Sequence, residues 1–146
     1  MPNPSTSTAA LLQALQARLE ALIPADRVGE DDRYQVAIGT RTATQGSRAV
    51  LLTGTGGRRK FGARSISDWE SQLQIETWYV DHGPEAYLQA LADAEQQVLD
   101  LYAWVVSAEG QALGLFEVQP EVATVSGDGE GELLVTRAVN LRFRGA

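Results

Sequence analysis

The sequence predicts an α+β fold, with a single antiparallel β-sheet of about five strands and two α-helices packed on one face. Two long stretches, 68–80 and 133–144, alternate apolar and polar residues, which is the pattern of a half-buried strand. Between them, apolar residues recur at helical spacing over 84–105. Alternating strands beside amphipathic helices indicate helices that cover the apolar side of a sheet.

Composition limits the classes of protein and of site. The chain has 146 residues, 44% of them hydrophobic, which suffices for one domain with its own core. We expect a single domain over 1–146, with 1–7 as a flexible leader and 54–66 as a long mobile loop. No apolar run approaches the ~20 residues of a membrane span, and 1–4 lacks the charged start of a secretory signal. With no cysteine, disulfides and thiolate sites are excluded, and cytosolic assembly is the default.

The amino-terminal part predicts one helix and two short strands. The helix is expected from Ala9 to Ile23, ended by Pro24. Strand 1 is expected at Tyr34–Ile38 and strand 2 at Ala49–Thr53, joined by a polar connection. The apolar stripe of the helix comprises Leu12, Leu15, Leu19, Leu22 and Ile23. The residues able to cap its start are Ser5, Ser7 and Thr8.

The centre of the chain predicts a long strand that leads into a long helix. In the strand, alternate residues from Trp69 to Tyr79 face one side, and Glu70, Gln72, Gln74 and Glu76 face the other. Pro84 suits the first helical position, and at 1.5 Å per residue the helix is roughly 30 Å long. Its expected sheet-facing stripe is Tyr87, Leu91, Ala94, Val98, Leu101 and Val105. The expected core is Leu73, Ile75, Leu91, Val98, Val139 and Leu141.

The end of the chain predicts a hairpin. Strand 4 is expected over 115–125, with Phe116, Val118 and Val122 facing one way and Pro120 indicating an edge or a bulge. Strand 5 is expected over 133–144, and the turn at 126–131 has the residues that turns favour. The two strands would therefore pair as neighbours.

Catalytic and metal-binding patterns do not stand out in the sequence. His82 is the only histidine and lies in a strand-to-helix turn, where a local hydrogen bond is the commoner role. Asp128, Glu130 and Glu132 alternate in the turn but lack the spacing of a calcium loop. The sequence therefore predicts no enzyme activity, no cofactor and no metal.

The most unusual composition lies between Gly54 and Arg64, where four glycines and four basic residues fall within eleven positions. The segment lacks the Gly-Lys-Ser/Thr ending of a phosphate-binding loop. It is predicted to order against an acidic partner or along a nucleic-acid backbone, with a solvated hairpin tip as the alternative. The expected partner-binding residues are Arg58, Arg59, Lys60, Phe61 and Arg64.

The order of these elements resembles the tail terminator, or tail completion, proteins of long-tailed bacteriophages. The resemblance covers residues 8–144. The loop from Gly54 to Arg64 departs from the family pattern in its length and basic character. The features that carry it are the Leu-rich helix Ala9–Ile23, the strand ending in Glu76-Thr-Trp-Tyr-Val80, the helix Glu85–Trp104, the turn Gly127-Asp-Gly-Glu-Gly131 and the terminal strand Leu133–Arg144.

The resemblance implies a structural virion protein of the tail and neck, assembled in the host cytoplasm. Such a protein forms a six-membered ring that caps the tail tube, stops its polymerisation and docks to the neck, while DNA passes through without specific binding. Its partners would be other copies of itself, the tail tube protein and a neck or head-completion protein, with no membrane involved. A neck stopper, a minor tail protein and a small α+β module binding nucleic acid through the basic loop remain alternatives.

Two sets of residues are expected at the surfaces of such a ring. The candidates for subunit interfaces are Trp78, Val80 and Leu134, which lie opposite the helices. A channel wall that carries carboxylates would repel DNA, whereas paired Lys and Arg would hold its phosphates. The candidates for that wall are Glu30, Asp31, Asp32, Asp128, Glu130 and Glu132, with solubilising turns as the alternative.

Overall fold

A computed structural model describes the chain over residues 7–21, 34–39, 48–54, 58–59, 68–79, 84–127 and 133–144. Within these ranges the chain forms three helices and seven strands, in the order helix, four strands, two helices, three strands. The helices are α1 (Thr8–Ala21), α2 (Pro84–Val106) and α3 (Ala108–Ala112). The strands are β1 (Tyr34–Ile38), β2 (Arg48–Gly54), β3 (Arg58–Arg59), β4 (Asp68–Tyr79), β5 (Leu115–Pro120), β6 (Thr124–Gly127) and β7 (Leu133–Arg144).

All seven strands belong to one sheet. Its main path runs β1-β2-β4-β7-β5, while β3 pairs with the start of β4 and β6 with the start of β7. The predicted α+β fold with helices on one face is confirmed. Every pair is antiparallel except β1 and β2, which run parallel in register from Tyr34 opposite Arg48. This one pair at the edge departs from the predicted antiparallel arrangement, and the amide of Gly39 continues its parallel ladder by donating to the carbonyl of Leu52 at 2.8 Å.

The centre of the sheet is the pairing of β4 with β7, which runs without a break through twelve residue pairs. Because side chains alternate across a strand, this register places the odd-numbered residues of both strands on the same face. Leu73 lies opposite Val139 and both are fully buried, as predicted. The even-numbered residues from Glu70 to Trp78 and from Leu134 to Arg144 are half-buried or exposed. One face of the sheet therefore carries the core.

Helix α1 covers the β1–β2 end of this face. Ser7 caps it, because its hydroxyl accepts a hydrogen bond from the amide of Ala10 at 3.1 Å. Leu11, Leu15 and Leu19 are buried and pack with Val36, Val50 and Leu52. The predicted stripe was right for two of these leucines but named Leu12, which is only half-buried, in place of Leu11.

Helix α2 covers the other end of the same face, with α3 following it after Ser107. Its orientation differs from the prediction. Leu91 is exposed and Val98 only half-buried, so their assignment to the core was wrong. The residues that α2 buries are Ala90, Ala94, Gln97, Leu101 and Trp104. Besides this buried row, the helix has a second, exposed apolar row that is described below. The stripe predicted from sequence spacing lies between the two rows.

The predicted fourth strand is divided into β5 and β6 by residues 121–123. A bulge between Leu115 and Glu117 shifts the register with β7, and it reverses the alternation. Phe116 is therefore exposed while Val118 is buried, contrary to the prediction that they face the same way. Val122 lies in the connection 121–123 and is exposed as well. The expectation that Pro120 lies on an edge strand is confirmed, because β5 ends the main path of the sheet.

We predict that Leu101→Ala destabilises the protein by about 2–5 kcal/mol, because Leu101 is 1% exposed and its truncation leaves a cavity. The matched control is Leu91→Ala on the same helix, which should lower the free energy of unfolding by less than about 1 kcal/mol because Leu91 is 37% exposed. Urea unfolding of both variants measures the difference. An equal or larger loss for Leu91→Ala would contradict the orientation of α2.

Candidate interaction surfaces

A row of large apolar side chains runs along the outside of α2. We call it the outer stripe, and its members are Leu88, Leu91, Leu99, Tyr102 and Val106. Four of the five are more than half exposed, with Val106 the most exposed at 72%. Their spacing follows the 3.6-residue period, so they lie on one side of the helix, away from the row that packs on the sheet. Contiguous exposed apolar surface of this kind is typical of a site that contacts another molecule.

The flank of α2 between its two apolar rows is polar. Gln89 donates to the carboxylate of Asp93 at 2.8 Å, and Gln96 donates to Asp100 at 3.1 Å, one turn apart in each case. The hydroxyl of buried Tyr79 on β4 donates to the other oxygen of Asp93 at 2.9 Å. This contact ties the polar flank to the sheet and leaves the outer stripe facing outward.

Arg137 fixes the rotation of α2 over the sheet. It occupies the one odd-numbered position of β7 that is not apolar, and it is 4% exposed. Its guanidinium donates to the side-chain carbonyl of Gln97 at 3.1 Å, to the backbone carbonyl of Ala94 at 2.7 Å and to that of Glu121. Two of the three acceptors belong to α2 and face the sheet. The hydrogen bonds therefore join β7, α2 and the β5–β6 connection at one point.

The charge of Arg137 is expensive to bury. Removal from water lowers the pKa of Arg137 below its ordinary value, although an arginine stays protonated near neutral pH. Its three acceptors are all neutral oxygens of carbonyl or amide groups. These hydrogen bonds offset the desolvation, and loss of any one acceptor leaves a buried cation with an unused donor.

The face of the sheet opposite the helices is mostly polar. Trp78 of β4 and Leu134 of β7 are cross-strand partners on this face and are half-buried, in agreement with their predicted position opposite the helices. Elsewhere on the face, Glu117 forms an ion pair with Arg142 at 3.1 Å. A depression of about 200 Å³ lies between β2, β4 and β7, lined by Thr53, Gly54, Gln72, Leu73, Gln74 and Ala138.

Charge is unevenly divided along the chain. Residues 1–64, the basic segment, contain nine Lys and Arg and five Asp and Glu. Residues 65–136, the acidic segment, contain fourteen Asp and Glu and no Lys or Arg. The basic segment supplies α1 and β1–β3, and the acidic segment supplies β4, both remaining helices, β5 and β6. Helix α2 itself carries Glu85, Asp93, Glu95 and Asp100 and no Lys or Arg, so the surface that it forms is acidic.

Several predicted site residues lie outside the described ranges. These are Val80, His82, Lys60, Phe61, Arg64 and all six channel-wall candidates, Glu30, Asp31, Asp32, Asp128, Glu130 and Glu132. Within the segment 54–66, predicted to be one mobile loop, Gly54 ends β2 and the two residues of β3 pair with β4. Arg58 lies opposite Glu70 in that pairing. The backbone of Arg58 and Arg59 is therefore beside the first residues of the central strand β4.

Neither a group of metal-binding side chains nor a helix long and apolar enough to cross a membrane occurs in the described part of the chain. Sequence reasoning missed the outer stripe, the Arg137–Gln97 contact and the division of charge. The sequence held a signal for each feature. The outer stripe is visible as a second apolar row in α2, and the contact as one charged and one amide residue in otherwise apolar rows. The division of charge is visible as a run of 72 residues without Lys or Arg.

We predict that Gln97→Leu destabilises the protein by about 1–3 kcal/mol, because it leaves the Nε of Arg137 buried without its partner. Combining it with Arg137→Met should cost less than the sum of the two single changes, by about 0.5–3 kcal/mol. The control is Gln96→Leu, because the wild-type Gln96 bonds Asp100 and not Arg137. Its effect on the free energy of unfolding should add to that of Arg137→Met. Denaturant unfolding of the single and double variants measures the coupling free energy of each pair. If the changes in free energy of unfolding were additive for both pairs, the proposed role of Arg137 would be excluded.

Comparison with known proteins adds no family assignment. No protein-family model matches the chain, and no curated protein is significantly similar to it.

Proposed function

We propose that this chain is a structural protein of a long bacteriophage tail. Copies of it form a six-membered ring that caps the tail tube, ends tube polymerisation and docks the tail to the neck. The DNA passes through the ring without specific binding. The protein works in the virion, at the tail and neck, after assembly in the host cytoplasm. A neck stopper or a minor tail protein is the nearest alternative within the same class.

The observation that carries this proposal is the outer stripe of α2. Leu88, Leu99, Tyr102 and Val106 are each at least half exposed in the single chain, and such a row becomes stable when another protein covers it. A protein that acts by assembly needs such surfaces.

The element order gives further support. A Leu-rich first helix, a twelve-residue strand, a 23-residue helix and a closing twelve-residue strand follow one another along the chain. This is the order that the resemblance to tail terminator proteins implies. The pairing of Trp78 with Leu134 on the face opposite the helices offers a second, smaller apolar surface for contact with a tail component.

We predict that a phage lacking this protein makes tails of uncontrolled, mostly excessive length that do not join heads. The reason is that an uncapped tube end continues to add subunits. Electron microscopy of lysates measures tail length and head joining, and a plasmid copy of the wild-type chain should restore both. Tails of normal length that join heads in its absence would refute the tail-capping role.

The proposed tail protein and the nucleic-acid-binding alternative differ in their expected affinity for DNA, and the result expected for the tail protein comes first. With a net charge of −7, the purified protein should not retain duplex DNA at about 0.15 M salt, because its surface repels phosphate. Fluorescence anisotropy with a labelled duplex measures this at several salt concentrations. Binding that falls steeply with salt, and that the double change Arg58→Ala with Arg59→Ala abolishes, would favour the DNA-binding module over the tail protein.

A further inference from the structure

We infer that the outer stripe of α2 binds an amphipathic helix of a different protein, which lies along α2 and places a lysine or arginine against Glu95. The inference rests on the assembly role proposed above, because it gives the chemistry of one partner in that assembly. It adds the shape and the charge that this partner presents.

The outer stripe has the length and the spacing of a helix-binding surface. Together with Glu95, its members recur every three or four residues from Leu88 to Val106, so they form one continuous ridge on α2. At 1.5 Å per residue the ridge is about 27 Å long. A second helix has the same period, and at a crossing angle of about 20° its side chains stay in contact with the ridge over this length. The side chains of a strand have a different period and would match only part of it.

Glu95 sets the charge of the partner. It lies in the middle of the ridge between Leu91 and Leu99, it is exposed, and it makes no hydrogen bond or ion pair with the described residues. The rest of α2 offers no cation, since the helix has no Lys or Arg. An apolar cover would remove this carboxylate from water without compensation, which is unfavourable. A Lys or Arg in the partner's apolar row would pair with the carboxylate while its aliphatic stem packs on the neighbouring leucines.

The described helices of this chain lack that chemistry. On α1 the exposed charged side chain is Glu20, whereas Arg18 is half-buried and its Nε is enclosed. Helices α2 and α3 contain no basic residue. Two α2 helices laid together would bring carboxylates close to one another, which disfavours that pair. The partner that fits the ridge is therefore a helix of a different protein.

The ridge is already arranged for binding in the single chain. The hydrogen bonds of Arg137 to Gln97 and Ala94, and of Tyr79 to Asp93, hold the buried row of α2 on the sheet. Binding at the outer stripe therefore requires no rotation of α2, and a surface held in its bound arrangement loses less free energy on association.

Two synthetic peptides test the shape and the charge together. Each forms one amphipathic helix of about 19 residues, the length of the ridge, with a leucine row of the same spacing. They differ only at the centre of that row, where one peptide has Lys and the other has Glu. We expect the full-length chain to bind the Lys peptide at least about fivefold more tightly, because a surface ion pair replaces a repulsion. Fluorescence anisotropy of the labelled peptides measures both dissociation constants.

Variants of the chain locate the contact. Glu95→Lys should reverse the preference, so that the Glu peptide binds more tightly than the Lys peptide. The matched control is Glu109→Lys, which changes the net charge equally at an exposed position of α3 and should keep the preference for Lys. Leu99→Ala should weaken the binding of both peptides several-fold, whereas Val122→Ala, at an exposed position outside α2, should not.

Three results would overturn the inference. The first is that neither peptide binds at any concentration tested, and the second is that Glu95→Lys leaves the preference unchanged. The third is self-association of the wild-type chain, seen by light scattering, that Leu99→Ala abolishes and Val122→Ala does not, because a second copy then occupies the stripe. These measurements use the purified chain without phage. Their failure therefore leaves the tail-capping role standing, and failure of that role in lysates leaves the peptide binding unaffected.

Discussion

The twelve-residue antiparallel pairing of β4 with β7 is the constraint on which the rest of the structure depends. It places the odd-numbered residues of both strands on one face. A shift of a single residue in either strand would move its apolar residues to the other face. Leu73 opposite Val139, and the nearby Leu141, then define the floor of the core. Both long helices pack on that floor, and β2 and β5 extend it on either side.

Arg137 interrupts that apolar floor, and the interruption has a structural purpose. An apolar residue there would pack under α2 without distinguishing one rotation of the helix from another. The guanidinium instead requires acceptors in fixed directions, and it obtains two of them from Gln97 and Ala94. Buried polar groups of this kind are a recognised means of selecting one arrangement among several of similar apolar content. The selected arrangement is the one that leaves Leu99 and Tyr102 outside.

In the assembly that we propose, the exposed row and the division of charge would act in different ways. The apolar side chains would supply free energy of contact in proportion to the area that leaves water. Opposite charges on contacting surfaces would add selectivity for partner and orientation. Neither feature is needed for the core of the single chain. Both are features that the proposed role in an assembly would use.

The sequence alone determined the local structure of this protein. The bounds of β1 and β7, the start of α2 at Pro84 and the faces of β4 were all predicted, because alternation, helical spacing and proline geometry depend on neighbouring residues only. The direction of β1 and the bulge that exposes Phe116 depend on strands distant in the sequence. The rotation of α2 was decided by tertiary structure for a similar reason. The helix has two apolar rows, and the row that is buried is set by contacts with distant strands, among them the hydrogen bonds of Arg137, forty residues away from Gln97, and of Tyr79.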